Sequence, residues 1–345
     1  MRYLITGGSG YFGGELKRSL LKDNHTCINV DIHRDDDRHP NLISEMVDVS
    51  KSVDMDDIFK KHAPIDCVFH AAAQLQLTSK TRSLFYATNI DATRILAERC
   101  IRFGIKNFVF ISSNCVYGRV NGINIPECSP LSPFEEYGKT KVASETILQD
   151  VSSKLHAVCL RPPTIIGEGR LGILSIVFDF IREGRKLWLI GSGENRYQFI
   201  YSDDLIHACK LAAHYYKSAV FNVGCDDVPT LNELFLALIQ EVKSRSQIRH
   251  LPPKFFVPAM KLSFKLGLSP LGPYQYNMIM NTYVGDTSKV KRELNWYPTK
   301  SNIVIMVDNY RYYIANRKTI LTNKMLSGHR QLGRPGIISL IKWIS

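Results

Sequence analysis

Residues 6–13 read TGGSGYFG, and this stretch decides the fold because it joins a β-type run to a helical pattern. Its glycines fit both G-x-x-G-x-x-G and G-x-G-x-x-G. A glycine backbone can approach a pyrophosphate closely, and a helix N-terminus offers unpaired N–H groups and a partial positive charge. The stretch therefore predicts a dinucleotide-binding turn, the alternative being a plain strand–helix turn. The candidate cofactor-binding residues in it are Gly7, Gly10, Tyr11, Phe12 and Gly13.

Asp31 stands at the end of the next β-type run, 18 residues after Gly13. A carboxylate at that position can accept hydrogen bonds from both ribose hydroxyls of adenosine and repels a 2′-phosphate. The sequence therefore favours NAD over NADP. His33 and Arg34 follow closely and keep NADP open as an alternative.

Short β-type runs alternate with helical patterns over the first 160 residues, which predicts an α/β fold with a doubly wound parallel sheet of the Rossmann type. The predicted strands are Tyr3–Thr6, Thr26–Asp31, Cys67–His70, Asn107–Ser112 and His156–Leu160. The predicted helices are Gly13–Lys22, Met55–Lys61, Leu84–Phe103 and Tyr137–Gln149.

After residue 161 the alternation loosens. Helices are predicted at Gly172–Glu183, Asp203–Ala213, Leu231–Val242, Pro258–Leu266 and Ile303–Tyr313, with short strands at Trp188–Ile190 and Val220–Val223. We therefore assign residues 1–160 to a dinucleotide-binding domain and residues 161–315 to a smaller, mostly helical substrate lobe interleaved with it. Residues 316–345 form a basic tail.

Composition is that of an ordinary globular enzyme, with 45% hydrophobic and 22% charged residues in a chain of 345. The sequence shows neither a long apolar run that could span a bilayer nor a signal peptide, so we expect a cytoplasmic protein. Its eight cysteines show no Cys-x-x-Cys and no metal-ligand spacing. They are predicted to be reduced core thiols, and no metal is expected.

The net charge of +12 is concentrated at the C-terminus. Residues 316–345 contain no Asp or Glu and six basic residues, namely Arg317, Lys318, Lys324, Arg330, Arg334 and Lys342. This pattern indicates a basic tail rather than a nucleic-acid-binding surface. The tail ends in an apolar cluster, and residues 251–272 are also apolar with interspersed lysines. One hypothesis is that the tail lies on an anionic membrane surface; the other is that it packs on its own domain or on a second subunit.

Four further segments follow in order: VFHAAA (68–73), ATNIDAT (87–93), FISSNCVYG (110–118) and YGKTK (137–141). Together with the glycine turn and Asp31, they resemble the extended short-chain dehydrogenase/reductase family, which contains sugar-nucleotide epimerases and dehydratases and 3β-hydroxysteroid-type dehydrogenases. The likeness covers residues 1–315. It implies NAD as the cofactor, a small-molecule substrate, and a homodimer formed through a helix bundle that includes the Tyr137 helix.

The resemblance places the catalytic serine at Ser113, the acid/base at Tyr137 and its partner at Lys141. Tyr137 and Lys141 form the only Tyr-x-x-x-Lys pair in the chain and would share one face of a helix. A nearby ammonium and the positive nicotinamide ring favour the phenolate, so Tyr137 could remove a hydroxyl proton while the attached carbon gives hydride to the ring. Ser113 would hydrogen-bond the same substrate oxygen, and Lys141 would also bond the nicotinamide ribose.

Five further positions match cofactor-contacting positions of the family. Two are expected at the adenine ring, two along the cofactor path, and an asparagine is expected to steady the central helix and sheet. In that order they are Asp48, Val49, Ala71, Ala72 and Asn89.

Dehydratases of the family carry an Asp-Glu pair where this chain has Asn114 and Cys115, so the resemblance disfavours dehydration. We expect Cys115 to be a wall of the substrate pocket, and Glu135, Glu136 and Glu145 to be surface residues. Thr164 and Arg196 are the other candidate substrate residues, although the family asparagine is missing near Thr164 and Arg196 is displaced by one position.

Three functions stay open. The first is an NAD-dependent epimerase or oxidoreductase acting on a sugar or nucleotide sugar, favoured by the segment 286–298. The second is a dehydrogenase of a sterol or lipid-linked alcohol, favoured by residues 160–167, LRPPTIIG. The third is a non-catalytic dinucleotide sensor, against which the retained Ser113, Tyr137 and Lys141 argue.

Overall fold

Seven parallel strands form the central sheet of the computed structural model, which describes residues 1–74, 81–172, 174–265, 278 and 280–322. The strands of the structure are β1 (Arg2–Thr6), β2 (Thr26–Asp31), β3 (Leu42–Met46), β4 (Cys67–His70), β5 (Asn107–Ile111), β6 (Gly122–Ile125), β7 (His156–Arg161), β8 (Thr164–Ile166), β9 (Leu187–Ile190), β10 (Phe199–Tyr201), β11 (Ala219–Asn222), β12 (Ile248–Leu251) and β13 (Tyr283–Gly285).

The helices within the described ranges are α1 (Tyr11–Lys22), α2 (Ser52–His62), α3 (Arg82–Tyr86), α4 (Ala92–Arg102), α5 (Glu136–Asp150), α6 (Leu174–Arg182), α7 (Ser202–Ala212), α8 (Leu231–Glu241), α9 (Pro253–Lys265), α10 (Ser288–Leu294) and α11 (Asn302–Thr322). Two shorter elements complete them. Ala87–Asp91 form a π-helical turn between α3 and α4, and Asn114–Tyr117 form a 3-10 helix after β5.

The large sheet has the order β11-β7-β5-β4-β1-β2-β3, and its neighbouring strands are all parallel. The predicted doubly wound Rossmann fold is confirmed. The chain runs outward from β1 in both directions, so the order reverses between β1 and β4, and such a reversal opens a crevice at the carboxyl ends of the two strands. The edge strand β3 was not predicted, because its residues LISEM are half-buried or exposed and lack the apolar run of the central strands.

Each face of the sheet has its own apolar core, because neighbouring residues of a strand point to opposite faces. In β1, Tyr3 and Ile5 pack with α1, α7 and α10, whereas Leu4 packs with α2, α4 and α5. A third core lies in the later half of the chain. It is built from β9, α6, α8 and α11 and includes Phe178, Leu238 and Tyr313.

The predicted single helix Leu84–Phe103 is interrupted in the structure. A π-helical turn at Ala87–Asp91 separates α3 from α4. A π turn inserts one extra residue into the helix and is frequent at functional sites. Period-based reasoning could not locate it, since the apolar pattern continues across it.

Predictions for the end of the chain are only partly covered by the described residues. Helix α11 reaches Thr322, and the tail beyond it, with its proposed membrane contact, lies outside the described residues. The predicted helix Pro258–Leu266 begins earlier, at Pro253, and its last residue also lies outside them. In the part of the chain that is described, no helix is both long enough and apolar enough to cross a membrane.

Trp296 anchors the segment after α10 on helix α7. Its indole is fully buried and its Nε1 donates to the Asp204 carbonyl oxygen over 2.9 Å. The Asp204 carboxylate in turn accepts from the backbone and the hydroxyl of Thr299, at 3.0 and 2.6 Å.

We expect Trp296→Ala to lower the free energy of unfolding by about 3–5 kcal/mol, because it leaves a large cavity and frees a buried carbonyl. The neighbouring Tyr297 is 57% exposed and is the matched control. Tyr297→Ala should change the free energy by less than about 0.5 kcal/mol. Urea denaturation followed by circular dichroism measures both, and equal losses would contradict the docking role.

Candidate active site

The glycine turn lies at the point where the strand order reverses. Gly7, directly after β1, has φ +75°, and a Cβ added there would come within 2.8 Å of the Ala72 Cα. Ala71 and Ala72 follow β4 directly. A Cβ on Gly13 would overlap the Gly7 carbonyl oxygen. The backbones of the two loops therefore touch, and only glycine fits at these two positions of the turn.

Helix α1 directs its N-terminus into this crevice. It begins at Tyr11, and its N-cap is Gly10, which has no side chain to occupy the first amide groups. The first turn has no acidic residue. Such an end attracts a phosphate through its N–H groups and its dipole. Tyr11 itself is buried, and Phe12 packs against the core on the α1 side of the sheet.

Asp31 is fixed at the carboxyl end of β2. Its carboxylate accepts hydrogen bonds from the backbone N–H groups of Ser9 and His33, at 3.0 and 2.9 Å. The loop beyond it carries three aspartates, residues 35–37. Asp35 is buried and binds the Lys17 ammonium, with both carboxylate oxygens 2.5 Å from Nζ. This ion pair fixes the loop that follows Asp31.

These residues fit NAD. A backbone cradle at positions 7–13 meets a pyrophosphate, a helix N-terminus supplies donors, and a carboxylate stands where a ribose diol binds. Asp48 lies before α2 and accepts from the N–H and the hydroxyl of Ser50, at 2.9 and 2.7 Å. Val49 is buried in the adjacent core. Their expected contact with the adenine ring stays a prediction.

Asn89 ties the end of β4 to α5 from within the π turn. Its Oδ1 accepts from the Gln74 N–H over 2.8 Å, and its Nδ2 donates to the Gln74 carbonyl over 3.0 Å. The π turn also leaves its carbonyl oxygen available to the Ser144 hydroxyl, at 2.7 Å. The asparagine thus links helix and sheet, as the resemblance implies.

A second buried hydrogen-bonded chain joins the glycine strand to the same helix. His70, on β4, has Nδ1 2.8 Å from the Thr6 hydroxyl and Nε2 3.1 Å from the Thr93 hydroxyl. Thr93 donates to the Ser144 hydroxyl over 3.2 Å. Burial, with the Lys141 charge adding to it, lowers the pKa of His70 to about 3, so the ring stays neutral and serves as a spacer.

Ser113 and Tyr137 are brought together by the 3-10 helix after β5. The Ser113 hydroxyl accepts from the Cys115 N–H over 3.2 Å and donates to Asn114 Oδ1 over 3.4 Å. The Cys115 carbonyl lies against Gly138, the residue after Tyr137, where an added Cβ would be 2.7 Å away. The 3-10 helix that follows Ser113 therefore packs on the start of α5, the helix that carries Tyr137 and Lys141.

Lys141 is buried beneath Tyr137. Its Nζ donates to the Ile111 carbonyl over 2.7 Å and lies 5.5 Å from the centre of the Tyr137 ring. Burial lowers the pKa of the ammonium to about 8, while Glu145 opposes that shift. Burial also raises the pKa of the Tyr137 phenol, and the charge that opposes this shift is that of Arg170 rather than the Lys141 ammonium expected from the sequence.

Glu145 is not a surface residue, and that expectation is wrong. It is buried one turn after Lys141, and Arg161 at the end of β7 binds both of its oxygens, at 3.0 Å through Nε and 2.5 Å through Nη2. The Ser112 hydroxyl donates to the same carboxylate. Glu145 is four residues after Lys141 and could pair with it on the helix, but it pairs with Arg161 instead. A Glu eight residues after a Tyr gave no signal of this, since the arginine comes from another strand.

A small cavity lies beside the 3-10 helix that follows β5. Its lining residues are Asn114, Cys115, Gly118, Val120, Phe134, Glu135, Tyr197 and Tyr283. The Asn114 amide donates to the Tyr197 hydroxyl over 3.1 Å. Cys115 is a wall residue as expected, and burial raises the pKa of its thiol to about 12, so it is no thiolate nucleophile. Glu135, interpreted from the sequence as part of a solvated helix start, lines the cavity as well.

The other two candidate substrate residues are placed differently. Arg196 is not among the residues that line this cavity; its Nη1 donates to the Val228 carbonyl over 2.6 Å. Thr164 lies on β8, with its hydroxyl 3.9 Å from the Met278 sulfur. Among the described residues, no group of three or more His, Cys, Asp or Glu side chains could hold a metal ion.

Comparison with known proteins identifies a matching family and several similar proteins. The model of the NAD dependent epimerase/dehydratase family matches residues 3–224. An uncharacterized protein, y4nG, of Sinorhizobium fredii is 35% identical over 92% of this chain and 80% of its own length. The sterol-4-alpha-carboxylate 3-dehydrogenase, decarboxylating, of Mus musculus is 26% identical over 76% and 74%. UDP-glucose 4-epimerase of Thermotoga maritima, solved with UDP-glucose, superposes with a TM-score of 0.73 at 25% identity, covering 93% of this chain and 100% of that one.

Gly13→Ala should weaken NAD binding by at least about tenfold, because the new Cβ overlaps the Gly7 carbonyl and displaces the turn. Gly14→Ala is the matched control, since its Cβ would come no closer than 3.4 Å to the Arg18 side chain and the Gly8 carbonyl. Isothermal titration calorimetry with NAD measures both. Equal affinities would show that the turn does not hold the cofactor.

Lys141 should make stability depend on pH. Its pKa is about 8 in the folded chain and near 10.5 when unfolded, so the unfolded chain binds more protons between those values and the free energy of unfolding rises with pH. From pH 7 to pH 10, wild type should gain about 2 kcal/mol relative to Lys141→Met. The control is Lys139→Met, at an exposed lysine of the same helix, whose stability should depend on pH as that of wild type does. If the stability of Lys141→Met depends on pH in the same way as that of wild type, the assignment of a buried ammonium is wrong.

Proposed function

Because the chain belongs to the NAD dependent epimerase/dehydratase family, we propose that it is an NAD-dependent epimerase or oxidoreductase acting on a secondary alcohol or ketone of a sugar or nucleotide sugar. One observation carries this proposal. Lys141 Nζ lies buried 5.5 Å from the centre of the Tyr137 ring, and the 3-10 helix that begins after Ser113 packs on Gly138, the residue after Tyr137. A sensor needs the glycine turn and Asp31, but it has no use for a buried ammonium beneath a tyrosine.

Tyr137 is the proposed acid/base. When bound, NAD supplies the hydride acceptor and a positive charge. Tyr137 Oη removes the proton from the substrate hydroxyl as the carbonyl forms, and returns it when the carbonyl is reduced. Burial raises the pKa of the phenol and the Arg170 charge opposes it. In the proposal, the positive nicotinamide ring and the Lys141 ammonium, 5.5 Å from the ring centre, favour the phenolate further.

Ser113 holds the substrate oxygen for this transfer. The Cys115 N–H donates to its oxygen, and its own proton goes to Asn114 Oδ1 over a long 3.4 Å bond, which a substrate oxygen is proposed to replace when Tyr137 deprotonates it. Lys141 remains charged near neutral pH because its pKa of about 8 lies above 7. Arg161 keeps Glu145 from neutralising it.

We propose that the reaction does not include the elimination of water. Dehydration needs an acid and a base of its own, and the two positions after Ser113 hold an amide and a thiol whose pKa burial raises to about 12. The Asn114 amide is engaged with the Tyr197 hydroxyl. This supports epimerisation or simple oxidation and reduction.

Polar side chains around the cavity support a sugar-type substrate over a sterol. Asn114, Glu135 and two tyrosines line it, which offers several hydrogen-bonding groups to a polyol. The structural similarity to UDP-glucose 4-epimerase of Thermotoga maritima supports the same substrate class. The Val228 carbonyl engages Arg196, so the proposal assigns it no phosphate.

A sterol or lipid-linked alcohol is the second candidate. The observation that favours it is the similarity to the mouse sterol-4-alpha-carboxylate 3-dehydrogenase over three quarters of the chain. The expected homodimer through the Tyr137 helix is likewise a proposal, which sedimentation of the purified protein tests.

Turnover of panels of nucleotide sugars and hydroxysteroids, followed by NADH absorbance and product chromatography, separates the candidates. Tyr137→Phe should lower kcat by at least about a hundredfold, because the proton has no acceptor, while NAD affinity stays unchanged. Tyr216→Phe, at a tyrosine 67% exposed, is the control. If Tyr137→Phe turns over normally, the acid/base assignment is wrong; if wild type turns over neither panel, the sugar and sterol proposals both fail.

A further inference from the structure

Helix α9 presents apolar side chains to solvent. Phe255 is 74% exposed, Leu262 is 59% exposed and Phe256 is 38% exposed. Phe255 and Leu262 are seven residues apart, which places them on the same side of a helix two turns apart. Single exposed apolar residues are ordinary on a protein surface, but a row along one helix marks an interaction surface.

Lysines flank this apolar row. Lys254 and Lys261 are exposed and each directly precedes one of the two most exposed apolar residues. At 100° per residue they form a second row along one edge of the first. Helix α9 contains a third lysine, Lys265, and no Asp or Glu. The surface is therefore apolar along its centre and positive along one edge.

The opposite side of α9 attaches it to the protein. The helix follows β12, which pairs in parallel with β9 from Ile248↔Leu187 to Leu251↔Ile190. Val257, Met260 and Phe264 are partly buried, and all three lie on the side away from the apolar row. The helix is thus held at the edge of a small sheet, with its apolar and basic side outward.

We propose that α9 docks on an anionic lipid bilayer, with its axis in the plane of the surface. Phe255 and Leu262 enter the boundary between headgroups and acyl chains, and Lys254 and Lys261 lie at the phosphates. An amphipathic helix with aromatic and aliphatic residues on one side and lysines beside them binds in this way, and lysines extend their stems along apolar surface to keep the ammonium in water.

Charge selects this occupant over a second copy of the chain. An antiparallel twofold contact through α9 would place the two lysine rows on the same side, in a protein whose net charge is already +12. A bilayer with anionic lipids supplies the opposite charge over the whole length of the helix.

Docking through α9 would hold the substrate lobe at the membrane. The helix ends at Lys265, and the chain is next described at Met278, whose carbonyl oxygen accepts from the Asn195 amide over 3.2 Å. Asn195 directly precedes Arg196 and lies two residues before the cavity residue Tyr197. The inference does not rest on the proposed reaction, since membrane binding needs no turnover.

Flotation of the full chain with vesicles of phosphatidylcholine, with and without phosphatidylglycerol, tests the proposal. Wild type should float with the anionic vesicles. Phe255→Ser combined with Leu262→Ser should reduce the bound fraction by at least about tenfold, because both inserted side chains are lost. Lys254→Gln and Lys261→Gln should each reduce it about fivefold, and only on anionic vesicles.

The matched control is Val53→Ser combined with Leu236→Ser, at residues 73% and 49% exposed on other helices. It should float as wild type does, and all variants should keep the wild-type melting temperature. Absence of wild-type flotation, or equal flotation of the Phe255 and Leu262 double variant, would overturn the proposal. So would a double variant that floats normally but loses a dimer in light scattering, since that would assign the surface to a second copy.

Discussion

The contact between the backbone after β1 and the backbone after β4 is the constraint on which the rest of the structure depends. A Cβ at Gly7 would come within 2.8 Å of Ala72, so the two loops meet where the strand order reverses. Gly13 then packs on the Gly7 carbonyl, so the N-terminus of α1 lies close to the sheet. The first amide groups of α1 are thereby directed into the crevice. The place of the cofactor site therefore follows from two close backbone approaches.

Buried polar contacts fix the helix that carries Tyr137 and Lys141. The Thr6–His70–Thr93–Ser144 chain connects it to the glycine strand, and the ion pair of Glu145 and Arg161 connects it to β7. Buried polar groups are costly unless every partner is present, so they specify one position for the helix where apolar contacts would tolerate sliding. The same ion pair has an electrostatic consequence, since a carboxylate held by Arg161 leaves Lys141 bonded to a neutral carbonyl.

The cavity differs from the crevice at the glycine turn because its lining comes from distant parts of the chain. Its cavity combines the 3-10 helix after β5 with Tyr197 and Tyr283 from the later half of the chain. Two nearby side chains are engaged by backbone carbonyls: Gln198 is buried and donates to the Cys225 carbonyl, and Arg196 donates to that of Val228.

The sequence by itself determined the parallel sheet except its edge strand β3, the glycine turn and the position of Asp31. These rest on local signals: apolar runs of strand length, glycine where φ is positive, and a carboxylate at a strand end. It could not determine the burial of Glu145, the cavity position of Glu135 or the engagement of Arg196. Each of these depends on a partner far along the chain, such as Arg161 for Glu145. Tertiary structure decided them, because burial and charge pairing are properties of the space around a side chain, and the residues on either side of it in sequence do not define that space.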